Sequence, residues 1–252
     1  MSYVLIHGGG ATARFWDRLV SLLDGPVLAV DMPGRNGREA DLATLSVDVE
    51  VASILADVAA IEPAEKVVIV AHSSGGLVVP GVVAGLGRER VERIVLNAAL
   101  IPAEGGCGLD CMQPRHREGL VAFLDALGDD DPPLTTPGPP TDPEDFRTTY
   151  GGDPLDDDTL AFVVDPIRCV ADTVHHYFQP VRWSAVVGIP ITYVVNDRDR
   201  PILPDMQLEM LGRLPGPIDV VHLDSGHVPA VTMPEQFAAI VIGREPGSRP
   251  VV

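Results

Sequence analysis

Five short runs of this chain are apolar almost from end to end: Tyr3–His7, Val27–Asp31, Val67–Ala71, Arg93–Asn97 and Ile191–Asn196. A strand with one wet face alternates apolar and polar residues. A continuous Val/Ile/Leu run needs cover on both faces. These runs therefore demand a parallel sheet packed between two helical layers. A sixth run, Asp219–Leu223, alternates more and suits a sheet edge.

Helical patterns lie between the runs. Ala13–Leu23 carries Phe15, Trp16, Leu19, Val20 and Leu23 at helical spacing, and Leu45–Ile61 repeats Val47, Val51, Ile54, Leu55 and Val58. Gly75–Gly87 is small and apolar, as a buried helix would be, while Asp205–Leu214 and Pro234–Ile242 follow the last two strands. Strands alternating with helices predict an α/β fold with a doubly wound, mostly parallel sheet.

From Pro102 to Ala185 the rhythm breaks, with no convincing strand and an acidic, proline-rich stretch at Gly128–Pro143 that reads as a loop. Helical candidates are His116–Leu127, Glu144–Tyr150, Asp157–Val164 and Cys169–Phe178. About 80 residues is too long for a simple connection. The expected organisation is a core of residues 1–101 and 186–252 with a helical cap, 102–185, inserted after the fourth strand. Phe123, Phe146, Tyr150, Phe162, Tyr177, Phe178 and Trp183 need somewhere to pack, which argues against a disordered insertion.

Composition narrows the function. The chain has 252 residues, 46% hydrophobic and 21% charged, ordinary for a soluble globular protein. No apolar stretch approaches the ~18–20 residues of a membrane helix. The formal charge of −18 repels phosphate backbones and anionic membranes, so neither nucleic acid nor membrane is an expected partner. The opening MSYVLIHGGG has no basic leader and no cleavage site, which predicts a cytoplasmic chain. Cys107, Cys111 and Cys169 are an odd count without a close metal-type pair, which suits neither a disulfide framework nor a zinc site. The sequence is compatible with a homo-oligomer and does not require one.

Four motifs carry chemistry. In Val67–Gly76 a strand runs through Ala71-His72-Ser73-Ser74-Gly75 into an apolar helix. This is the small-x-Ser-x-small pattern of a nucleophile elbow, whose sharp turn needs tiny residues two before and two after the serine. The turn would project the Ser73 hydroxyl at a helix start, where free amides favour negative charge. His7-Gly8-Gly9-Gly10 follows the first strand, and its glycines let amides face a ligand. We expect an oxyanion hole from the amides of Gly9 and Ser74. Nucleotide binding is disfavoured, since there is neither a Gly-Lys-Ser/Thr ending nor a GxGxxG. Asp224-Ser225-Gly226-His227 places a histidine after the last strand, where it could act as general base. Finally, Val194–Asp199 offers two carboxylates, Asp197 and Asp199, that qualify by position to orient the histidine. Asp199 is preferred, because the strand leaves the sheet near Asn196 and extra residues lend reach.

Together, His7-Gly8-Gly9-Gly10, Ala71-His72-Ser73-Ser74-Gly75-Gly76, Asp199 before Arg-Pro-Ile-Leu-Pro, and Gly226-His227 resemble the α/β-hydrolase superfamily, in its order and over most of the chain outside the cap. The early His-Gly strand and the acid loop at Tyr193–Asp199 are similar to the compact branch of plant methyl esterases and hydroxynitrile lyases. The resemblance implies a Ser73–His227–Asp199 triad and a cap over a mostly apolar pocket, with no metal and no organic cofactor. The chain also departs from the family pattern. Ala71 stands where glycine is commonest, a tolerable change to another small residue. Val228 stands where the lyases of this branch carry lysine and Gly8 where they carry threonine, and these two departures speak against lyase chemistry.

The leading expectation is a serine hydrolase of a small or medium, largely apolar carboxylic ester or lactone. Expected pocket residues are Gly8, Phe123, Phe146, Tyr150, Phe162, Tyr177 and Val228, and the partner is a small-molecule substrate. The alternatives are C–C bond hydrolysis or natural-product tailoring by the same residues, and a non-catalytic binding protein. His116, His175 and His176 read as solvated surface residues.

Overall fold

The structure is a computed structural model. It describes residues 1–42, 45–62, 65–126, 135–136, 140, 142–151 and 155–244, with the backbone alone at 123–126 and 135–136. The acidic stretch around Asp129–Asp131 and the Phe123 side chain lie outside the described residues.

In chain order the elements are β1 (Ser2–Ile6), α1 (Asp17–Val20), β2 (Val27–Val30), α2 (Val47–Val58), β3 (Val67–His72), α3 (Val79–Leu86), β4 (Val91–Asn97), α4 (Pro114–Ala126), β5 (Thr135–Thr136), α5 (Pro143–Tyr150), α6 (Asp157–Val163), β6 (Asp172–Thr173), β7 (Ile191–Asn196), α7 (Pro204–Leu211), β8 (Ile218–Leu223), α8 (Pro229–Thr232) and α9 (Pro234–Ile242). Six strands form one parallel sheet in the order β2-β1-β3-β4-β7-β8. The inner strands β1, β3 and β7 are buried along their whole length, while β8 at one edge is largely accessible. This is the pattern expected of runs covered on both faces.

The period of two along each strand splits the core into two layers. Val4, Ile6 and Ile69 join the layer that holds Ile54 of α2 and Val82 of α3. Tyr3, Leu5 and Val70 join the opposite layer, with Leu19 of α1 and Phe237 of α9. Side-chain caps start several helices: Ser46 Oγ accepts from Val49 N–H, Asp142 from Glu144 and Asp145, and Asp156 from Thr159.

Three expected helices differ. Ala13–Leu23 becomes a 3₁₀ turn, Ala13–Trp16, plus the single-turn α1, because Gly25-Pro26 must already lead into β2. The helix expected from Gly75 opens as 3₁₀ over Ser73–Val78 and turns α only at Val79, with Pro80 in its first turn. Proline lacks an N–H and fits where helical donors are unpaired anyway. Cys169–Phe178 is not a helix. Asp172–Thr173 pairs antiparallel with Thr135–Thr136, and a 3₁₀ turn, His175–Phe178, follows. Here Asp172 Oδ1 accepts from Thr173 N–H and Thr173 Oγ1 from His175 N–H, local bonds that compete with helix formation. The strandless reading of 102–185 is corrected by this small ladder.

Among the described residues no helix is long and apolar enough to cross a membrane. Ile69, fully buried at the sheet centre, tests the packing. We predict that Ile69→Ala lowers unfolding free energy by about 2–5 kcal/mol in urea titration.

Candidate active site

The C-terminal ends of four parallel strands carry the site. β3 ends at His72, and Ser73 takes φ +51°, left-handed and rare for a residue with a side chain. The turn survives because its neighbours are small. A Cβ on Gly75 would sit 2.5 Å from the His7 carbonyl oxygen, and one on Gly76 2.7 Å from that of Leu100. Ser73 O accepts from Leu100 N–H at 2.9 Å. Ser73 is partly exposed between buried His72 and Ser74 and lines a cavity. Ser74 lies in the first turn of the helix, so its amide has no intrahelical carbonyl to meet. A Cβ on Gly8 would come within 2.9 Å of Ser73 Cβ, so the residue-8 position must stay small for Ser73 to sit where it does.

β7 and β8 bring in the acid and the imidazole. Asp199 Oδ2 lies 2.7 Å from His227 Nδ1, and both residues are buried. Asp199 Oδ1 accepts from Ile202 N–H at 2.8 Å. The His227 carbonyl accepts from His72 Nε2 at 2.9 Å and, more weakly, from Asn196 Nδ2 at 3.4 Å. Asn196 is itself held by Asn97, at 2.8 Å, and by Gln207, at 3.0 Å. Of the two carboxylates allowed by position, Asp197 instead faces solvent and pairs with His222 Nδ1 at 2.7 Å. The structure thus joins Asp199 to His227 and places His227 and Ser73 on the wall of one cavity.

That cavity has a volume of about 280 Å³. Gly8, Phe146, Tyr150, Phe162, Tyr177 and Val228 line it, as do Gly9, Phe15, Leu100, Met112 and Ile202. The Tyr150 ring lies 5.7 Å from that of His227 and stacks on Phe146 at 4.7 Å. Burial pushes the Tyr150 phenol up to about 12, so it stays neutral. Phe162 is held under the Arg168 guanidinium, 3.8 Å from its centroid, with Arg18 at 4.6 Å.

Sequence reasoning missed a buried charged cluster beside the Gly8–Ala11 loop. Arg35 ion-pairs with Asp172 at 2.6 Å, and Glu50 meets His176 Nδ1 at 3.2 Å. All four side chains are at most 2% exposed. The expectation of a solvated His176 is therefore wrong: Glu50, on the core face of α2, gives it a buried partner. His175 is half-buried, and His116 is exposed at the cavity wall. Burial would lower the His176 pKa, but the Glu50 charge and hydrogen bond, with Asp172, raise it. Burial likewise works to raise the Asp172 pKa, and the charges of Arg35 and His176 with the Gly10 amide hold it below the usual range. Glu50, Asp172 and His176 lie close enough to share a metal ion. They do not fit one well, because Arg35 already supplies the cation at Asp172 and Glu50 engages His176 Nδ1. A lone Arg in Pro33-Gly34-Arg35 and a lone Asp before Thr173 carry no local signal for this pairing.

The chain matches the alpha/beta hydrolase family over residues 3–240. It belongs to that family and is a hydrolase-type enzyme. It is similar to the probable hydrolase R7 of Phoma sp., 26% identical over 226 residues, covering 86% of this chain and 85% of that protein. It is also 26% identical to the putative methylesterase 15, chloroplastic, of Arabidopsis thaliana, over 95% of this chain but only 55% of that protein, about half its length. The fold is shared with a pyrethroid hydrolase from Sphingobium faniae JZ-2, with TM-score 0.75, 22% identity, and 96% and 95% of the two chains covered.

Two buried imidazoles frame the site. His7 Nδ1–H donates to Gly8 O at 2.8 Å and Nε2 accepts from Met32 N–H at 3.4 Å, which uses both nitrogens of the neutral ring. Burial, then the Arg35 charge, pushes the His7 pKa down to about 3, and burial with nearby His227 drives that of His72 well below normal. Between the unfolded value near 6.5 and the folded one, the unfolded chain binds more protons, so stability is lost as pH falls. Each such ring costs about 1.4 kcal/mol per pH unit in that window. We predict that His7→Asn, whatever its effect at pH 7.5, loses about 2 kcal/mol less than wild type between pH 6.5 and pH 5 in urea titrations. Equal losses would show that His7 does not carry this pH dependence.

Proposed function

We propose that the protein hydrolyses small or medium, largely apolar carboxylic esters or lactones through an acyl-serine intermediate. The observation that carries this reading is the 2.7 Å Asp199–His227 contact on a cavity shared with Ser73. A serine in a left-handed strand-to-helix turn, on the same cavity wall as an imidazole held by a buried carboxylate, is an arrangement suited to nucleophilic acyl transfer.

In this mechanism His227 Nε2 accepts the Ser73 proton as Oγ attacks the carbonyl carbon. Asp199 holds the ring in the Nδ1–H tautomer and stabilises the imidazolium. The amides of Gly9 and Ser74 donate to the oxyanion. The C–O bond to the leaving group breaks, and His227 returns the proton to the departing alcohol oxygen. Water, deprotonated by His227, then attacks the acyl carbon; the acyl C–Oγ bond breaks, and His227 returns the proton to Ser73 Oγ as the acid leaves.

The substrate class follows from the cavity wall. Phe15, Phe146, Phe162, Leu100, Met112 and Ile202 offer apolar surface, which favours alkyl and aryl groups on either side of the ester. The relatives named as a pyrethroid hydrolase and a methylesterase agree with ester chemistry. Residues 102–185 act as the cap that sets this selection, since they supply Met112, Phe146, Tyr150, Phe162 and Tyr177 to the wall.

We predict that Ser73→Ala lowers kcat on 4-nitrophenyl butyrate by about 10⁴-fold or more and abolishes labelling by a fluorophosphonate, with an unchanged circular dichroism spectrum. Wild-type-like turnover by this variant would remove the proposal. We also predict that Asp199→Asn lowers kcat by roughly 10³–10⁴-fold, whereas Asp197→Asn stays within about threefold of wild type. Comparable losses in both would break the assignment of the acid.

A further inference from the structure

The Gly8–Ala11 loop has two flexible joints and few side chains to hold it. Gly8 O accepts from His7 Nδ1 at 2.8 Å and from Ala11 N–H at 3.3 Å. In a trans peptide the N–H points opposite to the C=O. These bonds therefore turn the Gly9 N–H, on the same peptide, away from His7 and Ala11. Gly9 N–H has no protein partner among the described residues, and Gly9 lines the cavity. The next joint is looser, because Gly10 has φ +65°, a conformation that only glycine enters freely.

What fixes that second joint comes from the distant segment around residue 172. Gly10 N–H donates to Asp172 Oδ2 at 2.8 Å, and Gly10 O accepts from Val170 N–H at 2.9 Å. Asp172 is held in turn. Arg35 ion-pairs with its Oδ1 at 2.6 Å and Thr173 N–H donates to the same oxygen at 2.8 Å. Arg35 reaches back to the loop as well, donating from Nε to Ala11 O at 2.7 Å, and it is anchored by Pro33 O at 2.9 Å. A bare carboxylate here would oppose negative charge developing on a substrate oxygen. The adjacent guanidinium cancels it while leaving the Gly10 bond in place.

We propose that Asp172, braced by Arg35, is the positioning residue of the oxyanion hole: by holding Gly10 N–H it keeps the loop set so that Gly9 N–H faces the substrate carbonyl oxygen. This role rests on the reading of Ser73 as the nucleophile. It makes the segment between β4 and β7 part of the catalytic geometry as well as the wall of the pocket. Its effect belongs to the transition state, where the oxygen carries charge, and so to kcat rather than to KM.

The test compares Arg35→Met/Asp172→Asn with Arg35→Met/Asp172→Leu. Both lack the ion pair and are close in size, and they differ in whether residue 172 can accept from Gly10. A third pair with Asp172→Ala replaces the leucine one should that fail to fold. On 4-nitrophenyl butyrate the acceptor-free pair should show kcat about 10–100-fold below the asparagine pair, short of the 10²–10³ expected for complete loss of a donor. KM should agree within about threefold. Affinity for an aryl trifluoromethyl ketone, and the rate of fluorophosphonate labelling, should fall by the same factor as kcat. Equal kcat, ketone affinity and labelling rate in the two folded pairs would overturn the role of Asp172 while leaving a labelled wild-type Ser73 intact. A wild type that neither turns over nor is labelled would overturn the nucleophile and, with it, this role.

Discussion

The backbone of Ser73 is the constraint on which the site depends. A left-handed residue with a side chain costs on the order of 1–3 kcal/mol and persists only where its surroundings leave no alternative. Here the surroundings are two backbones in close approach: the His7 carbonyl against Gly75 and the Leu100 carbonyl against Gly76. Those backbones belong to the exits of β1 and β4, the strands on either side of β3. The strain at the elbow is therefore met by sheet pairing on both sides. Any change that separates these strands would also relax the turn that presents the hydroxyl.

The same geometry explains why the imidazoles beside the elbow stay neutral. His7 and His72 sit where strand ends converge, and each links one strand exit to another: His7 to Met32 after β2, His72 to the His227 carbonyl after β8. A neutral ring can donate from one nitrogen and accept at the other, which suits a junction of backbones. A charged His7 ring would instead turn a second N–H donor against the Met32 N–H donor. The lowered pKa values of both rings follow chiefly from this burial.

The sheet was legible because its strands are short-range patterns. Val67–Ala71 or Ile191–Asn196 can be recognised without knowing what lies beside them. The elbow and the glycine loop were legible for a similar reason, since each is a steric requirement written into four or five consecutive residues. Asp199 and His227 could be chosen only through their place after particular strands and through resemblance. The Asp197 side chain differs by a solvent-facing direction that no local pattern encodes. The helix expected at Cys169–Phe178 failed because Asp172 and Thr173 spend their side chains on nearby backbone. The partners of His176 and Asp172 lie 126 and 137 residues away in Glu50 and Arg35, beyond any periodicity.

That long-range cluster is also the least economical way to fill space. Removing charges from water costs several kcal/mol per ion, and well-packed apolar residues of similar volume often give equal or greater stability. Stability alone is thus a weak reason for Arg35 and Asp172 to be buried together. What an apolar pair could not do is accept the Gly10 N–H while donating to the Ala11 carbonyl, bonds to adjacent residues of one glycine-rich turn. The two charges act on the loop from opposite polarity and cancel at longer range. A hole that must stabilise an anion needs its donors fixed and its surroundings close to neutral. A paired arginine and aspartate meet both needs, which is the physical ground for reading the cluster as part of the catalytic geometry.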